Sequence, residues 1–212
     1  SQFFGSGSLD RVRNTVGTSV ILTAVLGVAF TVLGICLVPL FLLILDMPTE
    51  VESEARTYLL IWFSGIIGPM IYNMGAAILR AVGDSRRPFI FLVVAAVTNT
   101  VLDLVFVIAF GWGVAGVAIA TVVAQLVSAV LVVITLIRTD SAVAVRRDII
   151  KLDREILGKI LRVGFPAAIQ MAITAFSNIF VQSYINYFGK GAMGGWTAYT
   201  KIDQIILLPM QS

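Results

Sequence analysis

The stretch that decides the fold runs from Thr15 to Leu45, TVGTSVILTAVLGVAFTVLGICLVPLFLLIL, and holds no Asp, Glu, Lys or Arg. A helix crosses the hydrocarbon core of a bilayer with about 20 predominantly apolar residues, so this run is long enough to span. The pattern recurs outward along the chain. Thr57–Leu79 and Val163–Gly189 are free of charge, and so is Leu104–Ile137, which is interrupted by Gly111-Trp112-Gly113. Pro88–Phe110 makes a further span with one ionisable side chain, Asp103, and an apolar segment opens at Ile202. Membrane β-strands alternate in character over about ten residues, and these runs are too long and too continuously apolar for that.

Composition agrees. Hydrophobic residues make up 58% of the 212-residue chain and charged residues only 13%, where a soluble domain carries about 25% charged residues. The mean hydropathy is +0.98. The chain therefore reads as an all-α, polytopic transmembrane helical bundle and an integral membrane protein. It has no His, and its single Cys36 can form no intrachain disulfide, which excludes His-based hydrolytic triads, zinc sites and disulfide scaffolds. Nucleic acid is not an implied partner; the lipid bilayer is.

Helices are expected at about 16–45, 57–79, 88–110 and 113–137, forming an N-terminal group over residues 1–137. Residues 138–162 follow as a basic linker, with Ile149, Leu152, Ile156, Leu157, Ile160 and Leu161 at helical spacing. This segment reads either as an amphipathic interfacial helix or as a solvated linker held near anionic lipid by its seven basic residues. Residues 163–212 then supply a helix at 163–189 and a truncated one from 202. Beginning at Ser1 without Met and stopping at Ser212 inside an apolar segment, the sequence reads as a fragment; its first apolar run is too long for a signal peptide.

Charge sets the expected orientation. Arg11 and Arg13, then Arg80, Arg86 and Arg87, then the seven basic residues of 138–162 fall in alternate connections, against Arg56, Lys190 and Lys201 in the others. The positive-inside rule places the first set in the cytoplasm. Asp46, Asp84, Asp140, Asp148 and Asp153 lie in connections and are expected to be solvated.

Asp103 is the only ionisable side chain well inside a span, and such a residue is costly enough that function is the default explanation. The competing explanation is a packing clamp, with Asp103 held by Asn and Thr partners. Asp103 lies nine residues before Trp112 and Thr121 nine after it. At 1.5 Å per residue both sit about 13 Å from that turn. Asn99 is one helical turn from Asp103, and Gln125 and Ser128 continue a polar stripe from Thr121. A carboxylate, an amide oxygen and a hydroxyl suit Na⁺, and the same carboxylate could carry a proton. The residues do not choose between the ions.

Other polar residues in spans are less specific: Tyr72 and Asn73, and the series Gln170, Thr174, Asn178 and Gln182. The last four either line a substrate cavity or bond within a helix interface. Gly65, Gly68 and Gly75, with Gly116, Ala120 and Ala124, read as packing seams of small residues.

Four motifs in order add a resemblance. They are the opening Ser1-Gln2-Phe3-Phe4-Gly5; Arg80-Ala81-Val82-Gly83-Asp84-Ser85-Arg86-Arg87-Pro88; Asn99-Thr100-Val101-Leu102-Asp103 followed by Gly113-Val114-Ala115-Gly116; and Val163-Gly164-Phe165-Pro166-Ala167. Together they resemble the multidrug and toxic compound extrusion (MATE) family. The resemblance implies part of a two-lobe, twelve-helix transporter, with this chain holding helices three to seven and the start of eight. It implies a cation-coupled antiporter, driven by H⁺ or Na⁺, that exports amphipathic, often cationic compounds by alternating access. It also implies no enzymatic activity, no cofactor, a monomer, and residence in a bacterial inner membrane.

In the branch with a first-lobe cation site, the resemblance carries that site onto Asp103, Asn99, Thr121 and Tyr58. The site's helix-four Asn would fall on Ala76 by spacing from Gly83-Asp84, so Asn73, three residues earlier, is carried in its place. No Asp or Glu occurs between Arg162 and Lys190, so the acidic residue that another branch places on helix seven is missing. Gln170, Asn178 and Gln182 are the candidate substrate-cavity residues. Two rivals stand beside this reading: a lipid-linked oligosaccharide flippase of the same superfamily, and a membrane scaffold in which Asp103 is only a clamp. No Lys or Arg lies well inside a span, which counts against the cationic cavity a flippase needs.

Overall fold

The computed structural model describes residues 9–44, 49–139, 143–145, 151–187, 196 and 199–200. Its helices are α1 (Leu9–Ile44), α2 (Thr49–Ser64), α3 (Ile67–Ala81), α4 (Arg86–Leu104), which runs into a π turn (Val105–Ala109), α5 (Gly113–Arg138) and α6 (Arg154–Tyr187). There is no strand among the described residues. The chain divides into two compact units, Ser1–Leu157 and Gly158–Ser212.

In the first unit α5 is the hub, packing against α2, α3 and α4. A third of its most apolar window (33%) is buried, against 6 to 11% for the other single-helix spans, so its neighbours face outward while it does not. Outward-facing side chains include Leu43 and Ile108, at 77 and 75% exposed, an apolar surface of the kind that hydrocarbon solvates. The expected small-residue seams are present: Gly65, Gly68, Gly75, Gly116, Ala120 and Ala124 are all buried. Of these seam glycines Gly65 fits most tightly, for a Cβ there would lie 2.5 Å from both methyl groups of Val122. Lipid tails are as apolar as Leu, so close backbone approach at small residues takes over the role that hydrophobic burial plays in water.

Helix bounds differ from the expected ones for identifiable reasons. The span expected at 57–79 is two helices bent by 41° at Gly65-Ile66. Pro69 has no N–H to give the carbonyl of Gly65, and the N–H of Gly68 takes it instead, at 2.9 Å. α1, α2 and α6 begin before their apolar runs, at Leu9, Thr49 and Arg154 rather than 16, 57 and 163. Apolar composition marks the part of a helix inside lipid, whereas its end is set by caps.

The segment expected as a separate linker is corrected most. Residues 154–162 belong to α6, and 151–153 precede it without regular structure, so no single amphipathic helix joins Leu152 to Leu161. Ile149, Asp148, Asp140, Asp46 and the truncated helix expected from 202 lie outside the described residues.

The 80–87 connection explains its own motif. Gly83 at φ +90° ends α3, with its N–H donating to the Arg80 carbonyl (3.0 Å) and that of Asp84 to the Leu79 carbonyl (3.0 Å), the two bonds of a Schellman cap. The carboxylate of Asp84, expected to be solvated, accepts from the Arg87 N–H at 3.1 Å and pairs with Nε of the same residue at 3.3 Å. The Tyr72 hydroxyl donates to the Pro88 carbonyl at 2.9 Å, tying α3 to the start of α4.

One core cluster joins Val12 and Val16 at the start of α1, Leu79 at the end of α3, Val132 and Leu136 near the end of α5, and Val143. Arg11, Arg13, Arg80, Arg86, Arg87 and Arg138 therefore lie in helix ends at the same end of the first unit. Gly83→Ala should cost about 1–2 kcal/mol through its left-handed backbone alone, because a Cβ there meets nothing within 4 Å. Thermal unfolding of the detergent-solubilised full-length protein checks this.

Candidate cation site

α4 and α5 form an antiparallel pair closed by the turn at Gly111-Trp112, where the Trp112 N–H donates to the Phe106 carbonyl at 2.9 Å. Their polar contact is Asn99 to Thr121: the amide Nδ2 donates to Thr121 Oγ1 at 3.4 Å, while that hydroxyl donates to the Val117 carbonyl at 2.9 Å. The first distance exceeds the ordinary 2.7–3.2 Å range for N–H···O, so the amide is only loosely engaged.

The register puts Asn99, rather than Asp103, opposite Thr121. One turn forward on α4 is one turn back on α5, which places Asp103 about 6 Å nearer the turn, at the level of Val117. The π turn directly after it, with the Phe110 N–H donating to the Val105 carbonyl at 3.1 Å, packs an extra residue into the end of α4 and draws Asp103 toward that end. Asp103 itself is half-buried. Its Oδ1 is fully buried and has no hydrogen-bond partner among the described residues.

Magnitudes separate the two roles offered for Asp103. An Asp at the centre of a membrane helix costs about 2.5–3.5 kcal/mol on insertion scales, and a buried unsatisfied oxygen about 1–3 kcal/mol. Interhelical polar contacts in membranes return about 0.6 kcal/mol on average, and here the contact belongs to Asn99 and Thr121. Among the described residues Oδ1 makes no such contact.

The remaining candidates are placed as follows. Tyr58 on α2 is half-buried, Asn73 on α3 is exposed, and neither side chain makes a hydrogen bond among the described residues. Gly68 lies against Gln125 and Leu126 and Gly75 against Val132 and Leu136, so Asn73 sits level with the stretch between them, beyond Thr121 on α5. Ser128 gives its hydroxyl to the Gln125 carbonyl at 2.8 Å, so the stripe expected below Thr121 is partly spent on its own helix. In the second unit, Gln170 and Asn178 are exposed on α6, and Thr174 donates to the Gln170 carbonyl at 3.0 Å. The side chain of Gln182 lies outside the described residues.

Hydropathy and spacing gave no sign of two features. Trp112 stacks on Phe106 and Phe110, with centroids 5.0 and 5.3 Å apart, one turn beyond Asp103 on α4. A cavity of about 160 Å³ lies between α1, α3 and α5, lined by Val20, Thr23, Ile67, Ile71, Val133 and Leu136 among others. It is apolar and separate from Asp103, so it is not the candidate cation site.

The arrangement can be set beside known proteins. The MatE family profile matches residues 1–105. The probable multidrug resistance protein YpnP of Bacillus subtilis (strain 168) is 31% identical over 209 residues, 99% of this chain and 46% of that protein. The inward-facing conformation of a multidrug resistance MATE family transporter of the MOP superfamily superposes with a TM-score of 0.84 at 26% identity, over 99% of this chain and 48% of that one. This chain belongs to the MATE family. An outward-facing conformation of a MATE family transporter superposes at 0.84 with 25% identity, over 98% of this chain and 49% of its own. The chain thus spans about half the length of the MATE relatives it matches, and it is an integral membrane protein.

Asp103→Leu, which removes the unpaired oxygen and fills its space, should stabilise the full-length protein by about 1–3 kcal/mol at neutral pH without Na⁺. A lowered melting temperature in detergent would instead show that the carboxylate has a structural partner.

Proposed function

We propose that the full-length protein, of which this chain is about half, is a transporter and not an enzyme. It exports amphipathic, often cationic compounds from a bacterial cell in exchange for H⁺ or Na⁺. The observation that carries the coupling role is the buried, unpartnered Oδ1 of Asp103 in a chain of MATE family membership. Asn99 and Thr121 flank it one turn away and supply further oxygen ligands, and Tyr58 completes the site as it fills; Asn73, level with the stretch of α5 beyond Thr121, is left out of it.

The mechanism is alternating access between lobes, and the inward- and outward-facing conformations of relatives support it. Cation binding at Asp103 drives the change through its different affinity for the two states. Binding a cation lowers the desolvation cost of the buried carboxylate, which favours the arrangement that encloses it. Gln170, Asn178 and Gln182 line the substrate path on α6. The connections carrying Arg11, Arg13, Arg80, Arg86, Arg87 and Arg138 face the cytoplasm. The protein acts as a monomer without a cofactor.

Ethidium efflux from vesicles containing the full-length protein, under imposed H⁺ or Na⁺ gradients, tests this reading. Wild type should export under one gradient, and Asp103→Asn at equal membrane abundance should fall to the rate of empty vesicles. Equal export by the mutant would remove Asp103 from the mechanism. No export by wild type under either gradient would favour the flippase or scaffold.

A further inference from the structure

Six helix threonines, Thr15, Thr57, Thr100, Thr121, Thr135 and Thr174, donate their hydroxyls to the carbonyl four residues back in their own helix. Thr18 does something else. It is fully buried, at 0% exposed, and its Oγ1 donates to the Lys151 carbonyl at 3.4 Å while accepting from the Asp153 N–H at 3.1 Å. One turn earlier on the same face of α1, Asn14 Nδ2 donates to Asp153 Oδ2 at 3.4 Å. The other oxygen of that carboxylate, Oδ1, accepts from the N–H groups of Glu155 and Ile156 at 3.0 and 3.2 Å, capping α6. Ile156 is buried, at 6% exposed. Asp153, expected to be solvated, is therefore a joint between α1 and the first turn of α6.

The surroundings hold this joint in place. Val143 and Ala144 are buried, the Val145 N–H donates to the Leu136 carbonyl at 2.9 Å, and Val143 shares a cluster with Val12 and Val16 of α1. The chain after α5 is thus fastened twice to the first unit before α6 begins. The hydroxyl uses both its donor and its acceptor on one short backbone segment, with the bond from the Asp153 N–H at 3.1 Å the shorter of the two, so a shift of a single residue would break both.

From this geometry we propose that Thr18, Asn14 and Asp153 form a clasp that stays closed throughout the transport cycle. It makes residues 151–157 move as part of the first unit. The proposal rests on the transport reading above, but part of its test does not.

Amide hydrogen exchange on the full-length protein in lipid nanodiscs should find Asp153, Glu155 and Ile156 protected, equally with and without ethidium. Thr18→Val should raise exchange at these amides about tenfold. In vesicles the same variant should lower the maximal ethidium efflux rate severalfold at unchanged KM, and Thr18→Ser should restore it. Protection lost on adding ethidium would overturn the proposal, as would wild-type efflux by Thr18→Val while its clasp amides exchange fast. Should Thr18→Val fail to fold, Asn14→Ala removes a single clasp bond and is read the same way. If wild type exports nothing, the transport reading fails, and exchange alone decides the clasp: amides unmoved by Thr18→Val would sink it.

Discussion

Everything in the first unit depends on how closely backbones can approach α5. In lipid there is no water to expel from between helices, so association rests on dispersion contacts, and these fall away within about an ångström of added separation. Gly65 against Val122 and Gly75 against Val132 bring α2 and α3 within that range, while Ala118, Ala120, Ala124 and Ala129 keep α5 itself slender. The large side chains that would have formed a core in water point outward. This inversion is why a helix with little amphipathic character can still have one definite position.

Against that tightly packed background, Asp103 is anomalous. The polar contact across the helix pair is made by Asn99 and Thr121, and the oxygen that packing has buried has no partner among the described residues. The π turn that follows adds a second local irregularity at the same place. Departures of this kind lower stability and persist where the site is used. The cation role proposed for Asp103 gives the buried oxygen a reason: a cation drives a conformational equilibrium only where the two conformations bind it with different affinity.

The polar side chains in this unit divide by the service they perform. Tyr72, Asp84 and Thr18 spend their hydrogen bonds on the backbone of another segment and fix where connections run. Most helix threonines spend theirs on their own carbonyls, which satisfies the hydroxyl and leaves the helix surface apolar. Asn99 and Asp103 do neither completely.

How much of this was legible in the sequence follows from range. Uncharged runs of about 20 residues establish membrane helices because bilayer thickness is a fixed ruler, and the isolated Asp103 stands out because charge in hydrocarbon is expensive. The small-residue seams at Gly65, Gly68 and Gly75 were readable for the same local reason. Helix ends were not, since α1, α2 and α6 continue past the apolar layer to caps that hydropathy does not register. Nor was the break at Gly65-Ile66 read, although Pro69 stands in the sequence to cause it. The pairing of Asn99 with Thr121, the unpartnered oxygen of Asp103 and the reach of Thr18 to Asp153 were decided only in three dimensions. Each depends on the register between segments 22 to 135 residues apart, as with Asn99 to Thr121 and Thr18 to Asp153. The sequence alone determined a membrane bundle with one costly carboxylate; the packing of α4 on α5 and of the linker on α1 decided what that carboxylate faces and what holds residues 151–157, because hydrogen bonds are set by tenths of an ångström that residue spacing does not specify.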